Sequence, residues 1–210
     1  MRRPVVVALL ALLLAPCVAA AAPFVDALLG VVEGRTVAAS DIALARALGV
    51  LGFAPSTSPI AREDVERFVD VLLIVDEAGR IGISAEPEQI ERAWATVVTR
   101  VGDDTALARW LDAQAIGRAW ARRLVEHEVV RSRFYEARFA AFVFPDEAAI
   151  GRALGPGQHD EAAREAARAR LIREAAERGQ AEWLREARRR VSIRILVPPG
   201  ASIPPPFPAP

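Results

Sequence analysis

Few side chains in this sequence are equipped for proton or electron-pair chemistry. The two histidines, His127 and His159, are separated by a glycine-rich break, and the single cysteine, Cys17, stands near neither. A histidine base needs a carboxylate to orient it and a nucleophile or substrate proton to serve. His127 instead shares a helical spacing with Trp120, Leu124 and Phe134 and reads as a boundary residue that fills space; His159 reads as part of a helix start. The acids Glu126 and Glu128, and the pair Asp103 and Asp104, read as caps and ion-pair partners in an arginine-rich chain rather than as a general acid and base. No histidine or cysteine spacing typical of a metal site occurs. The basic residues number 27 and all are arginine, which removes the phosphate-loop lysine and Schiff-base chemistry. The expectation is a protein with no catalytic residue, no metal ligand and no cofactor.

That leaves contact as the chemistry to look for. Four tryptophans, Trp94, Trp110, Trp120 and Trp183, recur with Ile, Leu and Val at helical spacing, so they read as core. The stretch GVLGF, Gly49 to Phe53, is the exception: a glycine-flanked apolar bulge before the polar loop APSTSP. Val50, Leu51 and Phe53 are accordingly the candidate contact residues, expected to be partly exposed.

The elements that must hold these residues are mostly helices. The first segment, residues 1–22, carries Arg2 and Arg3, an apolar run from Val5 and then small residues, the pattern of a cleaved secretory signal peptide. The run falls short of the ~20 residues that a membrane span needs. Cys17 follows Pro16, a poor context for lipid attachment, so a lipoprotein is the less favoured reading. Once that segment is removed no cysteine remains, and stability must come from packing rather than disulfides. Acidic residues also number 27, and this balance gives no reason to expect nucleic acid as a partner.

Beyond residue 22 the apolar run Leu28 to Val32, the Glu33-Gly34 turn and Thr36 to Ala38 predict a hairpin. Helices are predicted from Ser40 and Asp41 to Gly49, from Pro59 to Ala78, from about Ser84 to Val101, after Asp103 or Asp104, and from Ile116 to Arg138. AAFVFPDEAAIGRAL contains a short apolar run and a brief helix, and His159 to Arg190 reads as a long helix with a solvated Glu/Arg face. Val191, Ile193 and Ile195 then alternate with Ser192 and Arg194 as a strand does. Only the N-terminal hairpin offers that strand a partner, so the ends of the chain should meet in a three-stranded antiparallel sheet. Residues 198–210, rich in proline, read as an extended and disordered tail.

Four stretches, taken in order, resemble the SurA-type periplasmic chaperones. VVEGRTVAASDI is similar to their opening hairpin, LLIVDEAGRIGISAEPEQIERAW to a helix, glycine turn and second helix, WLDAQAIGRAWARRLVEHEVVRSRF to a short and a long helix, and AEWLREARRRVSIRIL to their closing helix and strand. The resemblance implies a mainly α fold: a helical core over residues 23–197, with 159–197 packing back on the N-terminal part and a small antiparallel sheet joining the ends. It implies an ATP-independent holdase for unfolded outer-membrane or secreted proteins, gripping clients such as extended polypeptides in an apolar cradle, in the periplasm with weak proximity to the membrane surface. Val50, Leu51 and Phe53 would then be client-binding residues. The parvulin prolyl isomerase domain usually found between the two halves has no counterpart here, so isomerase activity is expected to be absent. The alternative is a non-catalytic assembly or scaffold module that binds one dedicated envelope partner.

Overall fold

A computed structural model of the chain describes residues 26–157, 160–208 and 210. The signal-peptide reading of residues 1–22, Cys17 and His159 lie outside the described residues. The fold is mainly helical, with a small antiparallel sheet that includes the N-terminal hairpin and a C-terminal strand.

The hairpin is β1 (Leu28–Val32) and β2 (Arg35–Ala38), with the turn where the sequence placed it. Glu33 and Gly34 both have positive φ, 47° and 79°, the pairing whose twist matches that of the flanking strands. A bulge between Leu28 and Gly30 lets Leu29 and Val32 both face the core. Gly30 has a steric reason: a Cβ there would lie 3.2 Å from the Arg194 carbonyl oxygen and 3.4 Å from Val65. The predicted closing strand is β4 (Ile193–Ile195), antiparallel to β1 with Gly30 opposite Ile195 and Val32 opposite Ile193. The clasp extends past the ladder, since Leu196 N–H donates to the Leu29 carbonyl at 2.8 Å and Ser192 N–H to Glu33 Oε1 at 2.6 Å. Strand order is β2-β1-β4, so the two ends of the body are joined.

Helix α1 (Ala39–Leu48) leaves the hairpin directly and is buried on nearly every side, with Ile42, Leu44, Ala45 and Leu48 at zero exposure. A helix apolar all round belongs at the centre of a body, and this one is encased by the others. Its start is capped from outside: Asp26 accepts the Ser40 N–H at 3.1 Å and the Ser40 hydroxyl, while Asp41 accepts the Ala38 N–H at 3.0 Å. α2 (Arg62–Arg80) begins later than the Pro59 start expected from sequence. Ile60 and Ala61 form a two-residue strand, β3, and Asp64 caps the helix by accepting the Ala61 N–H at 2.8 Å.

There follow α3 (Pro87–Val101), α4 (Asp104–Ala113) and α5 (Arg118–Arg138). Asp103 caps α4 as expected, accepting the Ala106 N–H at 2.7 Å. The four tryptophans divide: Trp94 is buried, whereas Trp110, Trp120 and Trp183 sit half-buried at the edge of the core. A short 3-10 turn (Ala140–Phe142) leads to α6 (Glu147–Leu154) and then α7 (Glu161–Arg190), which at 30 residues is the longest helix. The first half of α7 packs on α6 as a helical arm with Ile150 at its centre; the second half returns to the body against α2.

Residues 198–208, read from the sequence as an extended and disordered tail, are docked and only partly extended, with a turn at Pro199 and Gly200 in which the Ala201 N–H donates to the Pro198 carbonyl at 3.1 Å. Strand β5 (Ser202–Ile203) pairs antiparallel with β3, and Phe207 is buried. The reason is an apolar docking surface supplied by segments remote in sequence, which a composition rich in proline does not reveal.

Candidate polypeptide-contact surface

The GVLGF bulge is turned inward, which corrects its expected exposure. Val50, Leu51 and Phe53 are 6%, 1% and 4% exposed. Three residues of the stretch have left-handed backbone: Gly49 (φ 62°), Leu51 (φ 60°) and Gly52 (φ 75°). This curls the segment so that its apolar side chains enter the core, and two charged side chains take its polar backbone. Glu128 of α5 accepts the Leu51 N–H at 2.7 Å, and the Arg100 guanidinium of α3 donates to the carbonyls of Leu48 and Gly49. The positive φ at residue 49 favours glycine, and a Cβ there would lie 2.6 Å from Arg100 Nη1, so a larger residue would push the guanidinium off these carbonyls. Arg67 covers the Phe53 ring at 5.1 Å. Beside the bulge is a small cleft of about 340 Å³ bordered by Arg100, Glu128 and Arg131.

The exposed large apolar side chains lie elsewhere. Phe142 and Phe144 are 73% and 84% exposed, on the segment that joins α5 to the arm. They are two apart, beyond the last turn of α5 and before Pro145, so neither helical periodicity nor strand pairing gives them a buried face. The arm holds together without them. Glu147 accepts from Arg164 and, at 3.1 Å, from Arg168, while Arg170 donates to the Ala153 carbonyl at 3.0 Å, and Ile150 provides the apolar centre. Sequence reasoning noted AAFVF only as an apolar run. The signal was present: aromatic residues at i and i+2 ahead of a proline, outside any helical register.

A second feature adjoins this one. A cleft of about 440 Å³ between α2 and the returning half of α7 has Leu73, Trp183, Ala187 and Val191 on its floor and Asp76, Glu77, Arg80 and Arg190 at its rim. Arg80 grips Glu77 with two bonds of 2.5 and 2.7 Å, and this grip holds the Glu77 carboxyl below its ordinary range. Trp183 also packs on Phe134 at 5.1 Å between ring centroids and on Phe139 at 6.4 Å. Phe139 immediately precedes the 3-10 turn that carries Phe142. The aromatic cluster thus connects the cleft floor to the base of the arm.

His127 is half-buried on α5, and its Nδ1 has no hydrogen-bond partner among the described residues. Burial pushes the imidazole below its ordinary value, opposed by Glu126 and helped by Arg123 and Arg35. A neutral imidazole packed at a helix edge is what this arrangement provides. Among the described residues, no three or more His, Cys, Asp or Glu side chains gather where they could hold a metal ion. No described helix is long and apolar enough to cross a membrane. No family model matches the chain, and no curated protein matches it.

Proposed function

We propose that this chain is an ATP-independent holdase that takes extended segments of unfolded polypeptides in the periplasm. The observation that carries the reading is the exposure of Phe142 and Phe144, a pair of large aromatic side chains left mostly uncovered at the base of an ion-paired arm. Covering one such ring is worth about 1.5–3 kcal/mol, so two give capture that is weak and reversible without nucleotide. The adjacent cleft adds an apolar floor within a charged rim, where arginine can reach the backbone carbonyls of a bound segment. The similarity of four ordered stretches to SurA-type chaperones supports the same reading, as does the joining of hairpin and closing strand into one sheet.

A second reading, a module for one dedicated envelope partner, is favoured by the small size of the exposed aromatic patch. One experiment separates them. As a holdase, the protein at near-equal stoichiometry slows aggregation of several chemically unrelated unfolded proteins, and Phe142→Ser with Phe144→Ser removes most of that effect while the circular dichroism spectrum stays unchanged. A single-partner module leaves all those proteins to aggregate. Acceleration of prolyl isomerisation in a test peptide would point instead to an enzyme.

A further inference from the structure

The segment 198–208 is held as a bound peptide would be. It leaves β4 where Arg62 Nη1 donates to the Val197 carbonyl at 2.9 Å. Ser202 and Ile203 then add to β3, opposite Ala61 and Ile60. Four residues later Phe207 meets Trp110 edge-on, ring centroids 5.8 Å apart, and Trp110 Nε1 donates to the Pro208 carbonyl at 3.2 Å. Between these anchors run Pro204, Pro205 and Pro206, which offer no N–H and restrict the span, with a bend at Pro206 and Phe207. Strand addition at one end and an aromatic platform with an indole donor at the other are the two recurring means of holding an extended proline-rich peptide. The segment carries no charged side chain, and within it, from residue 198 on, Phe207 alone among the described residues is buried. The attachment is therefore two-point and light beside the core around α1.

We propose that β3 and Trp110 form a peptide-binding site for segments with an aliphatic residue, a run of prolines, an aromatic residue and a further proline, and that residues 198–208 occupy it as an intramolecular competitor. This site is separate from Phe142 and Phe144 and does not rest on the holdase reading. Peptides from other proteins bind when the segment detaches, and their apparent affinity is set by the fraction of molecules with the site open.

The test uses the full chain. Phe207→Ser removes one anchor while leaving β3 and Trp110 in place. A fluorescent peptide of residues 199–210, followed by anisotropy, is expected to bind this variant at least about tenfold more tightly than the unaltered chain, because the competitor no longer holds the site closed. Adding Trp110→Ala removes that gain, and a peptide of unrelated flanks that keeps Ile-Pro-Pro-Pro-Phe-Pro binds alike. Equal binding to the variant and the unaltered chain, or a gain that survives Trp110→Ala, overturns the proposal. Should the Phe207 variant lose its fold, hydrogen exchange on the unaltered chain decides. The Ser202 and Ile203 amides are expected to exchange well before those of α1, and faster still with excess peptide; exchange only together with α1 would mean that the site never opens.

Discussion

At the scale of single residues, the Arg46–Asp64 pair governs the body's most buried polar contact. Arg46 is 7% exposed and holds Asp64 Oδ2 at 2.5 Å and the Ser58 carbonyl at 2.6 Å. It thereby ties α1 to the loop before β3 and to the start of α2. Arg46→Met leaves the Asp64 carboxylate without its buried partner and is expected to cost about 3–5 kcal/mol in urea unfolding, whereas pairing it with Asp64→Asn, which removes the charge and keeps an acceptor for the Ala61 N–H, restores part of the loss. A double-variant loss equal to the sum of the two singles would show that the side chains do not act as a pair. Nothing in the spacing of the sequence announces this contact, because Arg46 sits in an alanine-rich stretch like any surface arginine. The inward turn of Val50, Leu51 and Phe53 was hidden for the same reason: Arg100 and Glu128, which hold it, lie 51 and 77 positions away along the chain.

Between elements, the returning half of α7 is fastened to α2 by Arg188, whose Nε meets Asp70 Oδ1 at 2.6 Å and whose Nη2 meets the Glu66 carbonyl at 3.0 Å. Burial raises the Asp70 carboxyl above its ordinary value of 3.8, and Arg188 pulls it back down. A raised folded-state value means that the stability carried by the neutral acid is present at low pH and lost as pH rises through that value. Arg188→Ala raises it further, so the variant is expected to lose about 1–3 kcal/mol at neutral pH and to approach the unaltered chain on mild acidification. Urea titrations at neutral and mildly acidic pH measure the gap; a constant or widening gap would contradict this origin. Elements governed by local rules were readable in advance: the Glu33-Gly34 turn, the Asp103 cap, the long α7 after Asp160, and the alternation of Ile193 and Ile195. The β3–β5 pair was not, because two residues give no period and Ile60 follows a proline that reads as a helix start.

For the whole molecule, the β2-β1-β4 sheet makes one body from the two ends of the chain, and that much followed from having only two regions with strand character. Which surface remained apolar did not follow, since exposure depends on what every other element covers. The interior took the glycine-rich bulge, the cleft between α2 and α7 kept an apolar floor, and the link before α6 was left with Phe142 and Phe144 uncovered. The contact with unfolded chains that we propose would be made there. The most direct measurement installs a photo-crosslinking phenylalanine analogue at position 142, 144 or 53 and irradiates each protein with an unfolded polypeptide. Strong adducts are expected from positions 142 and 144 and none from the buried position 53; adducts from 53 alone, or from none of the three, would contradict the account.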